Sequence, residues 1–278
     1  MRYKNLAMYN MIIDIHTHIF PERIAAEAIK KLESKADLKA STNGMLDGLK
    51  ASMVSAGIEY SVVMPVVTRL EQFDNVNTYA AWLNENCCDG PQKIMSFGGI
   101  HPDDTDYISH LKQIKEMGIK GIKLHPDYQN VYIDDKRFLN IIDKASELDL
   151  AVLIHAGIDI GLPEPVHCPP ERARKMLDAV KPEKLILAHY GGYGQWDMVE
   201  EYLVGENVYF DTAFLVDRIE EEQFVRIVKN HGADKILFGS DCPWTSQKDS
   251  VEFIKNLPIS DKEKEQILGL NAKNLLGI

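Results

Sequence analysis

Met11-Ile12-Ile13-Asp14-Ile15-His16-Thr17-His18 reads as a β-strand that ends in chemistry. An apolar, β-branched run stops at two histidines one residue apart. In an extended strand, residues i and i+2 share a face, so His16 and His18 can aim both imidazoles at one point beyond the strand's end. Neutral imidazole is a common metal ligand near pH 7. Alone, the pair reads equally well as two core histidines.

The same short apolar run recurs down the chain. Strands are expected at Met11–Ile15, Tyr60–Met64, Ile94–Gly98, Gly121–Leu124, Ala151–Ile154, Leu185–Ala188, Val208–Phe210 and Lys235–Phe238. Between them lie segments of helical period: Asp104–Met117, Asp135–Leu148, Pro170–Val180 and Ile219–Asn230. In the second of these, Phe138, Leu139, Ile142, Ala145 and Leu148 form one apolar stripe. Strict strand–helix alternation implies a parallel sheet covered by helices. Eight units in 278 residues point to an α/β fold of the (β/α)8 TIM-barrel type, in a single domain, over an open doubly wound sheet. Residues 1–10 read as an N-terminal extension and 11–278 as the barrel domain. Ser260–Leu276 reads as a closing helix.

Composition narrows the function. The chain carries 31 basic and 42 acidic residues, a net charge of −11, and no basic stretch able to neutralise phosphates, which argues against nucleic acid. No apolar run approaches the roughly 20 residues of a membrane span. Cys87, Cys88, Cys168 and Cys242 form no Cys-x-x-Cys pair, and the adjacent Cys87 and Cys88 read as reduced thiols. A cytoplasmic protein acting on a small molecule is the expectation, with homo-oligomerisation left open.

Reading each strand to its C-terminal end brings out the candidate site. After His16 and His18 come His101 (Gly-Gly-Ile-His-Pro), His125 (Gly-Ile-Lys-Leu-His-Pro), His155, His189 and Asp241. Six of the nine histidines thus fall at strand ends, which a barrel gathers on one rim where active sites are built. Lys123 alternates with His125 and can face the same side. Plainer readings stand beside these. His101 and His125 precede prolines and serve equally as loop-start hydrogen-bonders. Arg69 is a carboxylate-binding candidate or a solvent salt bridge, and Trp244 a rim residue or a packed aromatic. His110, His167 and His231 read as structural. Gly-x-Ser-x-Gly and His-Glu-x-x-His are absent from the sequence.

Taken together, His16-Thr17-His18, Gly121–Pro126, His155, His189-Tyr190-Gly191-Gly192 and Gly239-Ser240-Asp241 resemble the amidohydrolase superfamily. The resemblance is to the amidohydrolase-related branch containing aminocarboxymuconate semialdehyde decarboxylase and its hydrolase and lactonase relatives. It runs from about Met11 to the tail, where Asn271-Ala272 also matches. It implies a metal-dependent barrel in which His16, His18, His155 and Asp241 are ligands and His189 and Asp241 are catalytic. Lys123, His125, His101 and Arg69 are then the substrate-binding candidates. Binuclear members carry a bridging carboxylated lysine or glutamate on strand four, and Lys123 keeps that open, but Lys-Leu-His-Pro looks like the mononuclear branch. The expected cofactor is one divalent metal, Zn2+ ahead of Mn2+ or a metal pair. The expected function is hydrolysis of a small amide, lactone or ester by metal-activated water. The alternative is non-oxidative decarboxylation of an unsaturated or aromatic acid. A carboxylate-bearing substrate would suit the basic candidates.

Overall fold

The apolar run at the start of the chain forms β1 (Ile13–Thr17), buried along its whole length. The computed structural model describes residues 11–278, so the extension read at residues 1–10 lies outside the described residues. After β1 come α1 (Glu22–Ala36), α2 (Leu46–Ala56), β2 (Tyr60–Val63), α3 (Phe73–Asn86), β3 (Lys93–Ser96) and β4 (Gly98–Gly99). The chain continues through α4 (Tyr107–Glu116), β5 (Gly121–Leu124), the single turn α5 (Pro126–Gln129), α6 (Lys136–Glu147), β6 (Ala151–Ile154), α7 (Pro170–Val180) and β7 (Leu185–Leu187). It ends with α8 (Trp196–Tyr202), β8 (Tyr209–Asp211), α9 (Glu221–His231), β9 (Ile236–Leu237), α10 (Gln247–Asn256), α11 (Asp261–Glu265) and α12 (Asn271–Leu276).

All strand pairings are parallel, in two ladders ordered β1-β2-β3 and β4-β5-β6-β7-β8-β9. β3 and β4 are one path interrupted at Phe97, whose N–H still donates to Val63 O at 3.0 Å. The nine pieces are therefore the eight expected strands. The last strand returns to the first: Ile15 N–H donates to Phe238 O at 2.9 Å, Asp241 N–H to His16 O at 2.8 Å, and Thr17 bridges Cys242. These contacts bring the edges together as a (β/α)8 barrel.

Side chains alternate between two cores. Ile122, Leu124, Val152, Ile154, Leu185 and Leu187 face the helices. Ala151, Leu153, Ile186, Ala188 and Leu237 fill the interior with Ile13 and Ile15, and Leu275 and Leu276 of α12 close the bottom. Asn271 anchors α12 by donating to Ala233 O and Ile236 O, both at 2.7 Å. The expected closing helix is thus α11 and α12, joined by a π-helical turn at Gln266–Leu270. The four cysteines are free thiols. Among the described residues, no helix is long and apolar enough to cross a membrane.

β1 departs from regular geometry where it matters. Ile13 and Ile15 face the interior, so in a regular strand His16 and His18 would face the helices. The β1–β2 register shifts between Asp14 and Thr17. Such an irregularity re-phases a strand and re-aims its side chains. His16 and His18 therefore join the interior cavity, while Asp14 is left bonded to Gln247 of α10 on the outer side.

Candidate active site

A cavity of about 260 Å³ opens at the C-terminal ends of the strands, with His16, His18, Lys123, His155, His189 and Asp241 among its lining residues. Two of these hold backbone conformations that L-residues rarely adopt: φ is +55° at His189 and +67° at Asp241. Left-handed backbone at a non-glycine residue costs about 1 kcal/mol or more and persists only where its surroundings enforce it. At Asp241 they do: its N–H donates to His16 O, and its carbonyl accepts from Trp244 N–H at 2.8 Å. Gly239, two residues earlier, allows the strands to close in, because a Cβ there would stand 3.0 Å from His16 Cβ.

The hydrogen bonds fix which ring nitrogens are available. A carbonyl oxygen only accepts, so His18 Nδ1 carries a hydrogen and donates it to Met64 O at 2.9 Å. His16 Nδ1–H donates to Asp211 Oδ2 at 2.8 Å. Burial and the neighbouring Lys123 ammonium hold the His16 pKa well below its ordinary value, so the ring is neutral. Both Nε2 atoms are the ring positions left over, and each offers a lone pair when its ring is neutral. They lie 3.5 Å (His16) and 3.1 Å (His18) from Asp241 Oδ1. Two lone pairs turned on a carboxylate in a dry site repel one another unless a cation lies among them. His16, His18 and Asp241 form a set whose ligand atoms all lie within 4.8 Å of one another, and their chemistry suits a divalent metal. Lys123 donates to His16 Nε2 at 3.2 Å and competes for that lone pair. Burial lowers its pKa to about 8.

Behind these groups stands Asp211, fully buried at the end of β8. Its Oδ1 accepts from His189 N–H at 2.9 Å and Ala213 N–H at 3.0 Å, which leaves Oδ2 to orient His16. A carboxylate that fixes a ligand histidine's tautomer typically changes metal affinity about 10–100-fold when removed. Asp211→Asn is expected to weaken divalent-metal binding by that factor, measured by calorimetric titration of metal-free protein.

His155 stands apart from the His16–His18–Asp241 set. Its Nδ1 lies 3.0 Å from His189 Nε2, and His189 Nδ1–H donates to Ala213 O at 3.0 Å. In the neutral pair the shared hydrogen thus sits on His155 Nδ1. The resemblance implies that His155 is a ligand; its Nδ1 is engaged with His189, and its buried Nε2, without a hydrogen-bond partner among the described residues, is the nitrogen left for such a role.

A second cluster, His125, His155 and Asp159, also has ligand atoms within 4.8 Å of one another, but its rings are badly placed for one ion. His125 and His155 stack with centroids 4.1 Å apart and planes 7° from parallel. Each lone pair lies in its own ring plane, so two parallel rings cannot both direct one at the same cation. His125 Nδ1 accepts from Tyr128 N–H, which turns its Nε2–H towards Asp159 Oδ2, 3.4 Å away.

Among the expected substrate-binding residues, Lys123 and His125 line the cavity and His101 and Arg69 do not. His101 Nδ1 accepts from Asp103 N–H at its own loop start. Arg69 is exposed, at the beginning of a short 3-10 turn. Tyr128 and Trp244 line the cavity, whereas the Tyr190 hydroxyl turns away and donates to Phe224 O at 3.1 Å. Sequence reasoning missed Asp211, although it directly follows the expected strand Val208–Phe210 and ends β8. Asp159 and Lys35, both lining residues, carry no such signal, because a loop and a helix end bring them in.

The amidohydrolase family model matches residues 13–278. The fold is similar to that of 5-carboxyvanillate decarboxylase from Sphingomonas paucimobilis (15% identity, TM-score 0.71, covering 96% of this chain and 99% of that one). It is similar to 2,6-dihydroxybenzoate decarboxylase complexed with 2,6-dihydroxybenzoate (16%, TM-score 0.74, 96% and 99%). A third similar structure is dihydroxybenzoic acid decarboxylase from Polaromonas sp. JS666 with bound manganese and the inhibitor 2-nitroresorcinol (18%, TM-score 0.73, 96% and 97%). No curated protein matches this sequence.

Proposed function

The chain belongs to the amidohydrolase family, and from that premise we propose that it is a metal-dependent, non-oxidative decarboxylase of a single-ring aromatic carboxylic acid. The observation that carries this reading is the contrast within the cavity. Its floor holds the cation-binding donors, while Phe20, Leu32, Met64, Phe214 and Trp244 supply apolar and aromatic wall. A small cavity of this kind suits a flat ring that directs one carboxylate inward. The three structures described above are all decarboxylases of ring acids, which also favours this reading over the hydrolysis that the sequence placed first.

His16, His18 and Asp241 would hold one divalent cation, which supplies positive charge to bind and orient an acidic substrate. Zn2+ and Mn2+ both suit two imidazoles and a carboxylate. Manganese in the Polaromonas enzyme makes Mn2+ at least an equal candidate to the zinc expected from sequence. The stacked rings of His125 and His155 favour one cation over two. His189 is the proton donor in this reading. Its Nδ1–H is tied to Ala213 O, so a proton can enter and leave only at Nε2. With His189 carrying a second proton, at Nε2 in place of the hydrogen bond from His155 Nδ1, the bond between ring carbon and carboxylate breaks, its electron pair stays on the ring carbon, that proton forms the new C–H bond, carbon dioxide leaves, and His189 returns to the neutral form. The apolar wall keeps water from the carbanion-like carbon.

The test is a panel of hydroxylated and carboxylated benzoic acids, lactones and amides, assayed for carbon dioxide and for acid release with Mn2+- or Zn2+-loaded protein. Carbon dioxide in equal amount to a ring product, lost in His189→Ala, is the expected result. Acid release from lactones or amides without carbon dioxide would establish hydrolysis instead.

A further inference from the structure

We propose that Lys35 makes the cavity selective for an aromatic acid bearing a second carboxylate at the end remote from the metal-binding donors. This deepens the decarboxylase reading and rests on it for the inner carboxylate. Lys35 lies in the last turn of α1, a helix outside the barrel strands, yet it lines the cavity. Lys93, Lys144 and Lys184 each sit against a carboxylate. Lys35 has none within 4.0 Å among the described residues.

The side chain is nonetheless held in place. Its stem lies along Gly161, where an added Cβ would be 3.5 Å from Lys35 Cδ, and its ammonium stands 5.2 Å from the centre of the Tyr128 ring. A lysine that served only the helix dipole would have no need of this seat. The cavity thus offers two basic side chains. Lys123 is buried in the floor beside His16, where it is engaged with that ring. Lys35 is exposed and, among the described residues, has no carboxylate within 4.0 Å, and apolar side chains share the lining with it. A monocarboxylate bound at the floor leaves Lys35 without a partner. A ring with a second carboxylate meets it while keeping its apolar body against Phe20, Leu32 and Leu38, which also line the cavity.

The experiment is calorimetric binding of benzoate and of benzene-1,3-dicarboxylate to metal-loaded protein, in wild type, Lys35→Met and Lys35→Arg. Methionine keeps the apolar stem against Gly161 and Tyr128, and arginine keeps the charge. The wild type should prefer the dicarboxylate. Lys35→Met should lose about fivefold in dicarboxylate affinity, the upper range for a solvent-accessible ion pair, with benzoate affinity changed by less than about twofold. Lys35→Arg should restore most of the preference, and added salt should erode it in wild type and arginine variant but not in the methionine variant. Equal affinity for the two acids in wild type, or equal losses for both in Lys35→Met, would overturn the proposal and leave the decarboxylase reading standing. A dicarboxylate preference that depends on Lys35, in a protein releasing no carbon dioxide from any acid, would uphold the proposal and overturn the reaction.

Discussion

Asp241→Asn should strip the protein of its divalent cation and its turnover together, while the barrel stays folded. The side chain is nearly isosteric, and the backbone contacts that hold residue 241 at positive φ, from its N–H to His16 O and from Trp244 N–H to its carbonyl, do not involve the carboxylate. What changes is charge. In the wild type the Nε2 atoms of His16 and His18 converge on an anionic oxygen at 3.5 and 3.1 Å, an arrangement that suits a cation shared by the three side chains. An amide can instead turn its NH2 towards the two imidazoles and satisfy them as a donor, which removes the demand for metal. With Asp241 as the proposed direct ligand, its loss exceeds the roughly 10–100-fold effect of an outer partner, so metal affinity should fall by at least about 100-fold and activity with it. Metal analysis after gel filtration, beside circular dichroism, checks this. Undiminished stoichiometric metal in Asp241→Asn would refute the ligand assignment.

Asp14→Ala should be the most destabilising single change at the rim, by about 3–5 kcal/mol. Asp14 is fully buried, and its carboxylate accepts from His16 N–H at 3.2 Å, Ser240 N–H at 2.9 Å, the Ser240 hydroxyl at 2.5 Å and Gln247 Nε2 at 2.7 Å. Burial raises its pKa to about 6 even against these donors, so it is largely ionised at neutral pH. Alanine would leave four donors facing one another in a site from which water is excluded, each costing about 1–3 kcal/mol before relaxation. The same donors tie β1 to the segment carrying Asp241, so surviving protein should also bind metal more weakly. Urea unfolding of the metal-free protein measures the stability loss separately from metal binding. A loss below about 1 kcal/mol would show that the network relaxes around the gap.

Much of the barrel was legible because periodicity is local. β-branched and apolar runs of four or five residues must bury both faces in a parallel sheet, and all eight expected strands are present. Helix ends were harder. The expected Asp104–Met117 helix begins at Tyr107, since Asp104 instead accepts from the Asp106 N–H in the loop before it. The strand-end rule found His16, His18, Lys123, His125, His155, His189 and Asp241, because a barrel carries every such position to one rim. His101 and Arg69, also named from the sequence, do not line the cavity. The strand-end rule did not reach Lys35, which a helix after β1 brings over the opening.

The amino-acid sequence by itself determined the architecture, the family and the list of rim histidines, since these follow from hydrophobic period and from residue types at strand ends. It also determined that His16 and His18 share a face. Which face was a tertiary decision. A regular β1 with Ile13 and Ile15 inside would put both histidines outside, and the register shift against β2 turns them inward. Tertiary structure also decided which nitrogens are free, because Met64, Ala213 and Asp211 lie 24 to 195 residues from the rings they orient. A strand's periodicity encodes alternation. Phase and tautomer depend on partners that meet only when the barrel closes.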